Sequence, residues 1–131
     1  MSALRQPSAG RAELIRARDL TKLYRTKADE QLLALSALNF SIEDGEFVSI
    51  VGPSGCGKST LLKIMAGLLG YSGGDITVGG KSISGPTADV GVVFQAPVLL
   101  PWRTILENVL LPSEIRRTIS EATRRRAKEL L

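Results

Sequence analysis

The chain has 131 residues, 44% of them hydrophobic, and a formal net charge of +4. This suits one domain with a modest core, and the charge is too small to predict a nucleic-acid partner. It contains no histidine and one cysteine, Cys56, which excludes histidine catalysis, a zinc cluster and an internal disulfide. No apolar run approaches the roughly 18 residues needed to span a bilayer, so we expect a cytoplasmic chain that is not exported.

The first third of the chain predicts a short tail followed by two strands. Residues 1–12 are small and polar without a repeating pattern, which predicts a flexible tail. Apolar residues in 13–21 predict a strand that ends at Tyr24, and residues 25–30 predict a charged turn. In residues 32–44 apolar and polar side chains alternate, which predicts a half-buried strand.

The next segment predicts a hairpin and a helix. Asp44 and Gly45 suit a two-residue turn, and the apolar residues 47–51 predict a buried strand that pairs back across this turn. The broad apolar face of residues 58–69 predicts a helix that ends at Gly70.

The remaining residues predict two more strands and two helices. Residues 76–78 suit a short strand in a glycine-rich stretch, and residues 90–94 suit a second buried strand. Residues 104–111 predict a helix that begins with a capping box and is interrupted by Pro112. A basic, partly amphipathic helix is predicted for residues 119–131.

A glycine-rich loop lies between the predicted strand 47–51 and the helix after it. It reads Gly-Pro-Ser-Gly-Cys-Gly-Lys-Ser, which matches the phosphate-binding pattern GxxxxGK[ST]. Gly55 and Gly57 permit tight turns that aim backbone N–H groups inward, and the helix start adds positive dipole character. In this pattern Lys58 reaches the β- and γ-phosphates, and the Ser59 hydroxyl binds Mg²⁺. The sequence therefore predicts a site for a nucleoside triphosphate.

Three further segments extend the match to one family. Tyr24 is an aromatic residue upstream of the loop, residues 93–95 read Val-Phe-Gln, and residues 99–109 read Leu-Leu-Pro-Trp-Arg-Thr-Ile-Leu-Glu-Asn-Val. Together with the loop, these segments resemble the first half of the ATPase subunit of ABC transporters. Residues 99–109 resemble the subclass that imports nitrate, sulfonate and taurine. Tyr24 and residues 93–95 favour this family over another P-loop enzyme, such as a nucleotide kinase or a GTPase.

The resemblance implies an α/β fold of the P-loop NTPase class, truncated to an antiparallel β subdomain and an incomplete parallel core sheet with helices. Residues 13–131 would be the N-terminal portion of the nucleotide-binding domain, through the Q-loop at Gln95 and the start of the helical subdomain. The family's signature motif, its strand ending in Asp-Glu and its switch histidine are not found in this sequence. We therefore expect a partial ATPase subunit that is inactive alone.

The resemblance also implies roles for individual residues, with ATP and Mg²⁺ as cofactors. Gln95 and Lys58 would be catalytic, and Ser59 and Gln95 would contact Mg²⁺. The ring of Tyr24 would stack on adenine. The loop residues that would bind the nucleotide are Gly52, Pro53, Ser54, Gly55, Cys56, Gly57, Lys58, Ser59 and Thr60.

Each of these assignments has a purely structural alternative. Tyrosine is common in strands, so Tyr24 also suits an ordinary strand end, and Gln95 also suits a surface position. Trp102 fits either a core anchor or a subunit interface. The basic side chains of residues 116–128 fit a solvated helix face, and Cys56 fits a small tolerated residue.

Two functions from different classes remain open at this point. In the first, the chain is part of an importer's ATP-binding subunit, which binds Mg·ATP to energise uptake of a small solute. Its implied partners are transmembrane permease subunits and a second ATPase subunit, with no nucleic acid, at the inner face of the cell membrane. In the second, the chain is a nucleotide-binding or docking module without ATP turnover.

Overall fold

The computed structural model describes residues 12–26, 29–86, 90–96 and 98–131. The described residues form two compact units, one that ends at Val90 and one that comprises Gly91–Leu131. Seven elements lie within them, in chain order: β1 (Glu13–Arg25), β2 (Gln31–Glu43), α1 (Lys58–Met65), β3 (Gly73–Val78), β4 (Lys81–Ser82), α2 (Ile105–Ile115) and α3 (Glu121–Glu129).

The first unit is built on a four-stranded sheet in the order β2-β1-β3-β4. Every pairing between these strands is antiparallel. β1 is long enough to pair with β2 on one side, from Glu13 opposite Glu43 to Arg25 opposite Gln31. On its other side, β1 pairs with β3. The sheet is the antiparallel subdomain that the sequence predicts.

The core of the first unit joins this sheet to helix α1. Leu20 of β1, Ile64 of α1 and Ile76 of β3 are fully buried, and Leu61 brings a second side chain of the helix into the same cluster. Full burial of a leucine or isoleucine side chain contributes about 1.5–3 kcal/mol. The helix is therefore held on the sheet by its own apolar face, and this fixes where the loop that precedes it can lie.

Strands β1 and β2 are bent by irregularities in their pairing. Asp19 and Ala37 have positive φ angles of 47° and 44°, and the register shifts between Ala17 and Leu20. The side chain of Asn39 fills this bend: its Oδ1 accepts from the Asp19 N–H at 3.0 Å, and its Nδ2 donates to the Asp19 carboxylate at 2.9 Å and the Ala37 carbonyl at 3.0 Å. Such bulges increase the local twist of a strand pair.

The second unit consists of a turn and two capped helices. Thr104 and Glu107 form the predicted capping box at the start of α2. The Asn108 side chain accepts from the Leu100 N–H at 2.8 Å and donates to the carbonyl of Arg103 at 3.2 Å, which ties residues 100–103 to the helix. Helix α3 begins at Ser120, whose side chain accepts from the N–H of Thr123.

Hydrogen bonds lower the pKa of two carboxyl groups on α2. The backbone N–H and the hydroxyl of Thr104 donate to Glu107 and hold the pKa of its carboxyl below the usual range. Arg103 does the same for Glu114, through a side-chain hydrogen bond and its positive charge, and lowers the pKa of that carboxyl. Both arrangements therefore favour the ionised form of the glutamate.

Two of the predicted strands are wrong. Residues 47–51 and 90–94 are irregular, and Phe47 and Val93 are 94% and 98% exposed. A strand forms only where a neighbour completes its hydrogen bonds, and in the described part of the chain no strand lies beside either segment. The predicted hairpin across Asp44 and Gly45 is also wrong. Strand β2 pairs with β1, and residues 47–51 do not form a strand. Among the described residues all strand pairings are antiparallel, and no part of the implied parallel core sheet is formed.

Two helix boundaries also differ from the prediction. Helix α1 ends at Met65 rather than near Gly70, because the N–H groups of Gly67 and Leu68 turn back to the carbonyls of Ile64 and Lys63. This is the Schellman arrangement that closes a helix. Helix α2 continues through Pro112 to Ile115, although Pro112 was predicted to interrupt it.

The other predicted elements are found. Strands β1 and β3 cover the predicted strands at 13–21 and 76–78, and β2 covers the predicted strand at 32–44 except for its last residue. Helix α3 lies within the predicted range 119–131. The predicted tail lies outside the described residues except for Ala12, whose carbonyl accepts from the Asp44 N–H at 2.9 Å. The domain boundary at residue 13 stays a prediction.

Candidate functional site

The glycine-rich loop takes a shape that its glycines make possible. Gly55 and Gly57 have φ angles of 80° and 94°, a backbone region that residues with a Cβ rarely adopt. Gly57 is also the N-cap of α1, and its carbonyl accepts from the Leu61 N–H at 2.9 Å. A Cβ at Gly57 would lie 2.5 Å from the carbonyl oxygen of Ala34. The loop backbone therefore lies directly against strand β2.

Lys58 holds the loop together from within. Its Nζ donates to the carbonyls of Gly52 and Pro53, each at 2.7 Å, and lies 3.6 Å from the Cys56 Sγ. An ammonium group has three donors, so these contacts occupy it fully. The positive charge of Lys58 therefore lies inside the loop, at the place where the pattern GxxxxGK[ST] positions phosphate oxygens.

The start of helix α1 is open to an anion. Among the described residues no side chain caps this helix, and no acidic residue lies in its first turn. The first backbone N–H groups of a helix have no partner within the helix, and the helix dipole places partial positive charge there. Both features favour a negatively charged ligand at Lys58, Ser59 and Thr60.

A pocket of about 390 Å³ lies in front of the loop. Ligand sites in proteins have volumes of about 300–1,000 Å³. Tyr24 closes one side of the pocket, and its hydroxyl lies 3.4 Å from the hydroxyl of Thr60, a residue 36 positions later in the chain. The lining residues are Tyr24, Leu32, Leu33, Ala34, Ser54, Gly55, Gly57, Lys58, Ser59 and Thr60.

The charge of this pocket suits an anionic ligand. Its lining in the described structure has one cation, Lys58, and no carboxylate. The described residues also hold no group of three acidic or cysteine side chains that could bind a metal ion alone. Mg²⁺ in nucleotide sites is held largely by phosphate oxygens and water, and the Ser59 hydroxyl is one protein oxygen on the pocket wall that fits this coordination.

The structure brings together most of the predicted site residues. Tyr24 meets the loop across the pocket, although nothing in the sequence spacing alone fixes that contact. Gly52, Pro53 and Cys56 belong to the loop but lie outside the pocket lining. Gln95 lies in the second unit, exposed and in a bend, and its role stays a prediction.

Sequence reasoning missed the apolar wall of the pocket. Leu32, Leu33 and Ala34 of β2 line it, and both leucines are exposed. Leu32 lies opposite Tyr24 in the strand pairing, and Leu33 lies opposite Leu23. Pairing the two predicted strands about the predicted turn at residues 25–30 would have placed these leucines near the tyrosine. No helix among the described residues is long and apolar enough to cross a membrane.

Comparison with known proteins gives the same assignment along most of the chain. The family described as ABC transporter matches residues 35–131. The taurine import ATP-binding protein TauB of Escherichia coli is 51% identical over 76 residues, which are 58% of this chain and 30% of that protein. The uncharacterized ABC transporter ATP-binding protein MJ0412 of Methanocaldococcus jannaschii is 42% identical over 102 residues, 78% of this chain and 38% of that protein.

Solved structures share the fold. The ATP-binding cassette MJ0796, in a dimeric post-hydrolysis state bound to ADP and Pi, has a TM-score of 0.77 and 35% identity, and the match covers 88% of this chain and 55% of that one. A second dimeric structure of MJ0796, described as a bacterial ABC transporter cassette, has a TM-score of 0.75. These likenesses confirm the predicted ABC ATPase fold. The matches span 30% of the length of TauB and 38% of that of MJ0412.

Proposed function

The chain belongs to the ABC transporter family, and we propose that its pocket binds Mg·ATP as part of an ATP-binding subunit. One observation carries this proposal: the glycine-rich loop, Lys58 and the ring of Tyr24 line a single pocket. A nucleotide site needs hydrogen-bond donors for the phosphates and an aromatic ring for the base. Here these two features come from distant parts of the chain.

The contacts in the pocket suggest a role for each side of it. The phosphates lie against the loop and the start of α1, and Lys58 exchanges its bonds to the Gly52 and Pro53 carbonyls for bonds to phosphate oxygens. The Ser59 hydroxyl joins the Mg²⁺ coordination. Adenine stacks on Tyr24, with the apolar wall of Leu32 and Leu33 beside it. In the family pattern, Gln95 contacts the Mg²⁺ and the attacking water.

We infer the role of the whole protein from the relatives. TauB is named a taurine import protein, and residues 99–109 resemble the same importer subclass. An importer of a small solute such as nitrate, sulfonate or taurine is therefore the proposed parent, with residues 13–131 as the N-terminal portion of its nucleotide-binding domain. Its partners would be permease subunits and a second ATPase subunit at the inner face of the membrane. MJ0796 is itself dimeric.

A second candidate function is nucleotide binding without turnover. The pocket lining in the described residues has no carboxylate, and phosphoryl transfer to water needs a group that positions or activates the attacking water. On this reading the chain holds Mg·ATP and releases no phosphate. The two functions are distinguished by whether Gln95 contributes to the release of phosphate from bound Mg·ATP.

The test replaces Lys58 and measures binding of Mg·ATP by isothermal titration. Hydrogen bonds to charged groups contribute about 1.5–3 kcal/mol, so Lys58→Ala should weaken Mg·ATP by about 10- to 100-fold. Lys63→Ala is the matched control, because Lys63 lies on the same helix, exposed and outside the pocket. Unchanged affinity in Lys58→Ala would remove the phosphate-loop assignment. Phosphate release that depends on Lys58 and Gln95 would favour the enzyme over the binding-only function.

A further inference from the structure

Lys22 of β1 links the strand that carries Tyr24 to the end of helix α1. Its Nζ donates to the carbonyl of Gly70 at 2.6 Å. The same nitrogen lies over the ring of Tyr24, 5.2 Å from the ring centroid. The side chain is half-buried and lies outside the pocket lining. Lys22 therefore contacts the ring from outside the space that a nucleotide would fill.

Neighbouring hydrogen bonds keep the strand and the segment after α1 in fixed relation. The N–H of Ser72 donates to the carbonyl of Thr21 at 2.8 Å. The Ser72 hydroxyl accepts from the N–H of Leu23 at 3.0 Å and lies 3.3 Å from the Leu23 carbonyl. These bonds flank Lys22: the first joins backbone to backbone, and the other two join the Ser72 hydroxyl to the backbone of Leu23. The tether would thus persist without the lysine, and the lysine's own contribution must lie elsewhere.

That contribution is the orientation of the Tyr24 ring. A cation within about 6 Å of an aromatic ring centroid is attracted to the face of the ring. The Gly70 carbonyl fixes the ammonium, so the attraction holds one face of the ring, while the contact of the Tyr24 hydroxyl with Thr60 holds its edge. A side chain that is already ordered loses less rotamer freedom when a ligand binds to it.

We propose that Lys22 is a positioning residue for the nucleotide base: its ammonium, held by the Gly70 carbonyl, keeps the Tyr24 ring in the orientation on which a purine stacks. This inference rests on the proposed function of the pocket. It assigns Lys22 to recognition of the base alone. The phosphates contact the loop, which has no contact with Lys22 among the hydrogen bonds of the described residues.

The test measures two ligands against four forms of the full chain. Mg·ATP carries the base, and Mg·tripolyphosphate carries the phosphates without it. The four forms are the unchanged chain, Lys22→Met, Tyr24→Ala and the double variant. Methionine keeps an unbranched side chain of similar length but removes the charge and the donor. Lys81→Met on β4 is the matched control, since Lys81 is exposed and lies outside the pocket.

We expect Lys22→Met to weaken Mg·ATP by about 3- to 10-fold, the range expected when one aromatic side chain must be ordered on binding, and to leave Mg·tripolyphosphate unchanged. In the Tyr24→Ala background the same substitution should have no effect on either ligand, because Lys22 acts through the ring. Lys22→Arg should restore most of the affinity, since a guanidinium also donates to a carbonyl and stacks on an aromatic face.

Other outcomes overturn the inference in distinguishable ways. An equal loss for both ligands in Lys22→Met means that the lysine only supports the fold. Unchanged Mg·ATP affinity, or an undiminished effect in the Tyr24→Ala background, means that it does not act through the ring. If the unchanged chain binds neither ligand, the proposed function fails together with the inference. Thermal unfolding of each variant identifies any general loss of folded protein.

Discussion

The contact of the loop with strand β2 predicts that alanine is tolerated differently at two glycines, which the sequence pattern does not distinguish. Gly55 and Gly57 both lie in the phosphate-binding pattern and both have positive φ. A Cβ at Gly55 would meet nothing within 4 Å, whereas a Cβ at Gly57 would lie 2.5 Å from the Ala34 carbonyl oxygen and 2.7 Å from Leu35 Cδ2. The two alanine variants therefore differ in one respect, the collision with β2.

The expected free energies of unfolding follow from these distances. A left-handed backbone conformation costs an alanine about 1–2 kcal/mol, and both variants incur this cost. Forcing an extra carbon into packed surroundings costs about 1–3 kcal/mol more, and only Gly57→Ala incurs it. Gly55→Ala should thus destabilise the chain by about 1–2 kcal/mol and Gly57→Ala by about 2–5 kcal/mol. The difference in unfolding free energy between the two variants therefore measures the contact of the loop with the sheet.

Urea unfolding followed by far-ultraviolet circular dichroism measures this difference at low protein concentration. With a urea dependence of about 1–3 kcal/mol per molar, the midpoint of Gly57→Ala should lie about 1 M below that of Gly55→Ala. A Gly57→Ala chain that is unfolded without urea, beside a folded Gly55→Ala chain, meets the same expectation. Equal midpoints for the two variants would refute the reasoning, because they would mean that Gly57 does not lie against β2.

Two further predictions concern the aromatic platform and the cap of α2. Tyr24→Ala should weaken Mg·ATP by about 1–3 kcal/mol, the value of base stacking on an aromatic side chain, while Tyr24→Trp should largely preserve the affinity in the same titration. The lowered pKa of Glu107 predicts that its capping contribution is present above the glutamate pKa of the unfolded chain and is lost as pH falls through the folded-state pKa. The urea midpoint of the unchanged chain should therefore converge on that of Glu107→Gln as pH falls from 7 to about 3, and a gap that does not change with pH would contradict the capping role.

Much of the first unit was predictable because its signals are local. The alternation of apolar and polar residues predicts β2, and the pattern of the glycine-rich loop followed by an apolar face predicts the start of α1. The capping box at Thr104 likewise needs only residues within one helical turn. In each case the residues that carry the signal are the ones that make the contacts. The candidate site shares this property in part, since most of its predicted residues lie in one loop.

The errors occur where a structure depends on distant partners. An apolar run such as residues 47–51 has the composition of a buried strand, but hydrogen-bonding neighbours decide whether a strand forms, and the run carries no information about them. The end of α1 depends on the turn at Gly67 and Leu68, which apolar periodicity does not detect. The apolar wall at Leu32 and Leu33 depends on the register of two strands. Sequence patterns predict which side of a helix or strand is apolar better than they predict which other element packs against that side.

The loop keeps its form although residues 47–51 before it are irregular and not a strand. Contacts other than a preceding strand must therefore hold the loop in place. The sequence predicts a buried strand directly before the loop, yet Val51 is 80% exposed. The support lies on the other side: α1 is fixed in the core by its buried Ile64, and Gly57 rests on β2. Lys58 then ties the beginning of the loop to the helix through the Gly52 and Pro53 carbonyls. Because a bound phosphate would compete for Lys58, the helix and the contact at Gly57 would have to hold the loop in the proposed nucleotide complex.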